Sequence, residues 1–200
     1  MRFIIATNNK HKLKEFREIF GEKYDGKIFS IADIGVQSNP TENGKDFKEN
    51  SLIKASALYK EITDKKLLKK DDYIIADDTG LCIEYLNGAP GLFSARYLGD
   101  DIPQHVKNEK IIDMMKDVSH DKRNAFFITI LTVIHDGNTK QYEGKINGHI
   151  ALFIDVDAGF GYDPIFEVNG KTFAEMGPER KNKISHRAIA VEKFLKDNSL

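Results

Sequence analysis

Tyr73-Ile74-Ile75-Ala76 is a short apolar run with the character of a buried strand, and it leads directly into Asp77-Asp78-Thr79-Gly80. Successive side chains of an extended chain point to opposite faces, so the two adjacent carboxylates serve different surroundings. Acids beside an apolar strand are costly unless a cation, a hydrogen-bond donor or solvent meets each one. A fold for this chain has to supply those partners, or end the strand there in an acidic turn. Gly80 permits either a turn or a close backbone approach to a ligand.

The elements around this run are legible from periodicity and turn chemistry. Residues 2–6 read as a strand, and 10–20 as a helix with Leu13, Phe16, Ile19 and Phe20 on one face. Between them lies Thr7-Asn8-Asn9-Lys10-His11-Lys12, a polar strand-to-helix turn at the positive end of a helix dipole, which suits phosphate. Taken alone, such a turn is more commonly an ordinary solvated first turn capped by Thr7 or Asn8, and it lacks the glycines of a Walker loop. Residues 27–31 suggest a short strand, and 46–62 a second amphipathic helix, with Glu42, Glu49 and Asn50 near its start. Residues 81–85 read as a separate strand pairing with the central one, and 103–115 as a helix with proline in its first turn. Residues 125–134 form a strong strand turned back by Asp136-Gly137, and Asn169-Gly170 marks another hairpin, so the sheet is expected to be mixed.

Three further stretches carry chemistry. Arg96, in Ser94-Ala95-Arg96-Tyr97, is a candidate anion contact or a surface arginine. Gly159-Phe160-Gly161-Tyr162-Asp163-Pro164 alternates aromatics with glycines and ends in a carboxylate, which suits either a loop closing on a flat aromatic ligand or core aromatics in a turn. The preceding Asp155-Val156-Asp157-Ala158-Gly159 is out of register with a calcium loop. Ser185 is a good N-cap for a final helix with a stripe at Ile184, Ala188, Val191 and Leu195. His186 and Arg187 then fall in its first turn, where cations oppose the dipole, a placement that a ligand contact explains and helix stability does not.

Composition sets the bounds. The chain has 200 residues, 30% of them charged and 40% hydrophobic, which suits one globular domain with a real core. A net charge of -1 supplies no basic field for a nucleic-acid polymer or an anionic membrane, though a small phosphorylated ligand needs only a local cluster of cations. Cys82 is the single cysteine, so an internal disulfide is impossible and a reducing cytoplasm fits. The longest apolar stretch, 125–134, falls well short of the ~20 residues of a membrane-spanning helix. Met1-Arg2 runs straight into apolar residues 3–5 and does not read as a secretory signal, so the expectation is a cytoplasmic protein.

Taken together, Thr7-x-Asn9-x-x-Lys12, Phe47-x-Glu49-Asn50-x-x-x-Lys54-Ala55, Ala76-Asp77-Asp78-Thr79-Gly80-Leu81, Gly88-Ala89-Pro90-Gly91 with Ser94-Ala95-Arg96-Tyr97, Gly159 to Pro164 and Ser185-His186-Arg187 follow one another in an order that resembles the inosine triphosphate pyrophosphatase family, the Ham1-like proteins. The resemblance runs nearly end to end. It implies a single α/β domain over residues 1–200, elongated and two-lobed, with a central mixed β-sheet flanked by helices and an active-site cleft between lobes, assembled as a homodimer. It implies Mg²⁺-dependent hydrolysis of the purine nucleoside triphosphates ITP, dITP and XTP to monophosphate and pyrophosphate, which clears abnormal purines from the nucleotide pool. By position, Asp78 is the general base and a metal ligand, with Glu42 as the second metal carboxylate. Thr7, Asn8, Asn9, Lys10, His11, Lys12 and Lys181 hold phosphates or ribose, and Thr79 contacts substrate. Phe160, Gly161, Tyr162 and Asp163, with His186 and Arg187, hold the purine. Arginine only donates hydrogen bonds, which would favour the 6-oxygen of hypoxanthine and xanthine over the amino group of adenine. Near Glu42 the family pattern is imperfect, since Thr41 stands where an acid is often found.

Two rivals differ in class. An aspartyl-phosphate phosphatase also places aspartate after a strand, but its two acids are separated by one residue and share a face, whereas Asp77 and Asp78 are adjacent. A nucleotide sensor would keep the base pocket and need no water-activating carboxylate.

Overall fold

The structure, a computed structural model, describes residues 1–24, 26–156 and 158–200; Asp157 of the acidic stretch 155–159 lies outside them. Seven strands form one mixed sheet in the order β2-β1-β3-β4-β5-β6-β7. β1 (Arg2–Ile5) runs parallel to both β2 (Ile28–Ser30) and β3 (Asp72–Ile83), with Ile4 opposite Phe29 on one side and Ile74 on the other. β4 (Asn124–His135) and β5 (Asn138–Ile150) form a hairpin, with Asp136 at φ 48° and Gly137 at φ 71°. Asn169 and Gly170 turn β6 (Phe166–Val168) antiparallel into β7 (Lys171–Thr172) with the same pair of positive angles, the two-residue geometry that Asp-Gly and Asn-Gly favour.

The chain divides into two compact units. The first comprises residues 1–78, 129–144 and 187–200. Its strands are apolar on both faces because helices cover both. On one face Phe3, Ile5, Tyr73, Ile75, Leu131 and Val133 pack against Phe16 and Phe20 of α1 (Lys10–Phe20) and Ala190, Val191 and Phe194 of α5 (His186–Asp197). On the other, Ile4, Ile74, Ala76 and Ile134 meet Ala55, Leu58 and Ile62 of α2 (Phe47–Asp64). The final helix therefore buries Ala188, Ala190, Val191 and Phe194. The stripe expected from Ile184 is shifted, because Ile184 belongs to the preceding helix and packs in the other unit.

The second unit comprises residues 79–128 and 145–186. Leu81, Ile83, Phe127, Ile150, Phe166 and Phe173 form its core with Ile111 and Met115, at the end of α3 (Gln104–Met114). α4 (Phe173–Ile184) is an element that the sequence does not announce, because Gly177-Pro178 looks like a break. It is a kink: Gly177 takes φ 71° and the helix resumes beyond Pro178, which tolerates a first-turn position. The central strand also differs from expectation. β3 continues through both acids and Gly80 to Ile83 instead of ending at them, so 81–85 supplies no separate strand.

Arg123 ties the second unit together. It is 1% exposed and donates to the carbonyls of Val118 (2.9 Å), Ala151 (2.6 Å) and Met115, the residue that ends α3. Truncation leaves buried acceptors without a donor, at about 1–3 kcal/mol for each group left unsatisfied. Arg123→Ala is expected to lose roughly 3 kcal/mol or more of unfolding free energy by urea denaturation.

Candidate active site

The alternation along β3 decides where its acids go. Asp77 follows Tyr73 and Ile75 onto the face covered by α1 and α5, and Asp78 follows Ile74 and Ala76 onto the face covered by α2. Both are buried, at 3% and 8% exposure.

Asp77 is met by Lys12 of α1, whose Nζ lies 3.1 Å from its carboxylate, and by Arg187 of α5, whose Nη2 donates to Oδ2 at 2.8 Å. The other terminal nitrogen of Arg187 donates to Glu15 on α1. Burial alone would push the Asp77 carboxyl up, but Lys12, Arg187 and Lys54 outweigh it and hold it well below the ordinary carboxylate range. Lys12 moves the other way, since burial lowers its pKa more than Asp77 restores it.

Asp78 is held from α2. Lys54 Nζ lies 3.2 Å from its Oδ1, and Asn50 Nδ2 donates to Oδ2 at 3.2 Å. Residues four apart share a helix face, so one stripe of α2 grips both oxygens. Lys54 also reaches Glu42 Oε2 at 2.7 Å, which puts Glu42 and Asp78 on a single ammonium. Burial raises the Asp78 carboxyl against the pull of Lys54 and Lys12, and Glu42 adds to the rise. Burial would lower the Lys54 ammonium, but Asp78, Asp77 and Glu42 overcome that and raise it.

The turn before α1 is organised by its own side chains. Asn9 is the N-cap and accepts from His11 N (2.9 Å) and Lys12 N (3.2 Å), while Thr7 Oγ1 accepts from Asn9 N at 3.1 Å. The cap is thus Asn9 rather than Thr7 or Asn8, and Asn8 donates instead to the carbonyl of Ser38. Lys10 and His11 are exposed.

The remaining expected residues lie in the second unit, where Thr79 is half-buried. Asp163 accepts from Lys181 Nζ at 2.6 Å and from Phe160 N at 2.9 Å. A Cβ on Gly159 would stand 2.8 Å from Asp163 Oδ2, and φ there is +90°, so only glycine lets the loop close on that carboxylate. Tyr162 donates to the carbonyl of Ser94 at 2.7 Å, Asn108 donates to the carbonyl of Gly161 at 3.1 Å, and His186 stacks on Phe127 with centroids 4.6 Å apart. Arg96 is exposed and lies over the Phe93 ring at 5.0 Å.

The structure thus joins Glu42 to Asp78 through Lys54, and Lys12 to Arg187 through Asp77. Sequence reasoning passed over Asn50, Lys54, Glu15 and Asp77 as site residues. The i, i+4 spacing of Asn50 and Lys54 was a usable signal, while the pairing of Glu15 with Arg187 spans 172 positions and left none.

Lys12 meets Asp77, Arg187 meets Asp77 and Glu15, and Lys54 meets Glu42 and Asp78. Among the described residues no group of three or more His, Cys, Asp or Glu side chains gathers to hold a metal. Mg²⁺ typically takes one or two carboxylates and completes its shell with water and phosphate, so Glu42 and Asp78, which share one ammonium, are the candidate pair for it.

The fold is a mixed α/β sheet with helices on both faces, and at β3 it carries a lysine-bridged carboxylate pair, in a chain that matches a family of known proteins. The Ham1 family profile matches residues 3–197. A dITP/XTP pyrophosphatase of Clostridium perfringens is 44% identical, covering 98% of this chain and 96% of the relative. One of Bacillus subtilis is 42% identical, covering 96% and 94%. Among solved structures, the Ham1 protein of Staphylococcus aureus superposes with a TM-score of 0.81 at 32% identity, over 100% of this chain and 98% of that one. The chain belongs to the Ham1 family.

The two acids are expected to answer differently to amide substitution. Asp77→Asn strips the carboxylate from a buried pair and is expected to cost about 3–5 kcal/mol at pH 7. Because the folded pKa of Asp77 is depressed, its contribution is present above the unfolded value of about 4 and is lost as pH falls through the folded one. Urea unfolding should therefore show a gap between wild type and Asp77→Asn that closes below about pH 4. Asp78→Asn should leave the unfolding midpoint nearly unchanged, since Lys54 keeps Glu42.

Proposed function

We propose that this chain is a nucleoside triphosphate pyrophosphatase that hydrolyses ITP, dITP and XTP to the monophosphate and pyrophosphate with Mg²⁺, clearing abnormal purine nucleotides. The observation that carries the reading is the pairing of Asp78 and Glu42 on Lys54, with Lys12, which meets Asp77 on the opposite face of the strand, also acting on the Asp78 charge. The substrate class comes from the relatives named dITP/XTP pyrophosphatase. On the family resemblance we also assign the chain to a cytoplasmic homodimer. Among the described residues, no helix is long and apolar enough to cross a membrane.

Asp78 is the proton acceptor in this scheme. A water attacks the α-phosphorus, its oxygen forms the new bond, and its proton passes to the carboxylate. The bond from the α-phosphorus to the bridging oxygen breaks, and pyrophosphate departs. Asp78 is suited to the task because burial and Glu42 raise its affinity for a proton. Mg²⁺, when bound, would neutralise phosphate charge and make the α-phosphorus more open to attack. Glu42 and Asp78 would hold it. Lys54 keeps the two carboxylates from repelling one another while no metal is bound. Lys12 and the turn from Thr7 to His11, with Lys181, are assigned to the phosphates and ribose. Thr79 is assigned to the substrate, and Phe160 to Asp163, His186 and Arg187 to the purine.

Incubation with ITP and Mg²⁺ tests the scheme by its products. Pyrophosphate with the monophosphate is expected; orthophosphate would mean a phosphatase, and no product a sensor. Asp78→Asn should lose at least ~10²-fold in kcat while remaining folded, since the amide accepts no proton and ligates magnesium poorly. For the wild type, kcat/KM for ITP should exceed that for ATP by roughly 10² or more, because a donor facing the 6-amino group leaves buried groups unsatisfied. Equal turnover of ITP and ATP would remove the purine assignment.

A further inference from the structure

Asn50 is a neutral side chain that joins Asp78 to the loop carrying Glu42. It is 2% exposed. Its Oδ1 accepts from Gly44 N at 2.8 Å, and its Nδ2 donates to Asp78 Oδ2 at 3.2 Å. Gly44 stands two residues beyond Glu42 in the loop that enters α2. That loop is pinned again at its end, where Lys45 N donates to Glu49 Oε2 and Glu49 N to Asp46 Oδ1, both at 2.8 Å. Glu42 is therefore placed by a loop tied to the first turns of α2, and Asp78 by β3. The Asn50 amide spans the two.

From this geometry we propose that Asn50 is a positioning residue for the metal: it fixes the separation and orientation of Asp78 and the Glu42 loop by bridging the Gly44 amide and the Asp78 carboxylate. The inference rests on the reading of Asp78 and Glu42 as metal ligands. A backbone N–H only donates, so the amide oxygen of Asn50 must face Gly44 and its NH₂ must face Asp78. That orientation offers Asp78 Oδ2 a donor and leaves Oδ1 to Lys54, which also holds Glu42. Gly44 completes the device. A Cβ there would lie 2.7 Å from Asn50 Oδ1, 2.7 Å from Glu49 Cβ and 2.9 Å from Asn50 N, so the loop closes this tightly only on glycine. Outer partners that orient metal ligands typically carry 10–100-fold in metal affinity or activity.

Two single substitutions attack the bridge from opposite ends, and neither removes a carboxylate. Asn50→Ala deletes the amide, and Gly44→Ala pushes the loop off it while every polar group remains. Mn²⁺ binding followed by electron paramagnetic resonance reads the site without turnover. Each folded variant is expected to bind Mn²⁺ about 10-fold more weakly and to need about 10-fold more Mg²⁺ for half-maximal ITP hydrolysis. With Mg²⁺ saturating, KM for ITP should change by less than about 3-fold, which separates positioning of the metal from loss of substrate contacts. The double variant should be no worse than the poorer single one, since both act through one bridge. Should Asn50→Ala fail to fold, Gly44→Ala carries the same test. Folded variants with unchanged Mn²⁺ affinity and Mg²⁺ dependence, or with additive effects, overturn the inference while the wild type remains an ITP pyrophosphatase. A wild type with no Mg²⁺-dependent turnover overturns the function and this inference with it.

Discussion

Two carboxylates side by side on a buried strand impose opposite demands on its two faces, and much of the first unit is arranged to meet them. Neither acid can turn to help the other, because the backbone sends them apart. Asp77 is met by Lys12 and Arg187, and Arg187 also answers Glu15. Asp78 shares Lys54 with Glu42 and takes a second donor from Asn50. On one face of the strand the acid is held well below the ordinary carboxylate range, and on the other it is raised.

That asymmetry gives two adjacent residues different properties. Removing a carboxylate from a buried ion group is costly because its partners stay behind in a low-dielectric setting. A carboxylate raised in pKa by burial is the kind of group that can take a proton. The helix that grips it does so with an amide and an ammonium one turn apart, so the same stripe of α2 sets geometry with one residue and charge with the other.

Much of this could be read in the chain beforehand, for local reasons. α1 follows from the spacing of Leu13, Phe16, Ile19 and Phe20, and the two hairpins follow from Asp136-Gly137 and Asn169-Gly170, whose positive φ angles the residue types favour. The opposite facing of Asp77 and Asp78 follows from strand geometry alone. The continuation of β3 through both acids was hidden, because it depends on cations delivered by helices remote in sequence. α4 was hidden by Gly177-Pro178, whose local signal is a break while its packing makes a kink. The bonds from Arg187 to Glu15 and Asp77 were hidden for a simpler reason: they close over 172 and 110 residues, and no local pattern encodes a partner so far away.

The first unit is drawn from three separated stretches of chain, and its last contribution is the C-terminal helix. Arg187 follows Asp77 by 110 positions and Glu15 by 172, so these bonds form only when α5 docks on the sheet face that α1 also covers. Non-local contacts of this kind return nothing until the whole loop has closed. Removal of α5 would take Arg187 from Asp77 and uncover that face of β1 and β3, and the shortened chain would betray itself by protease sensitivity there.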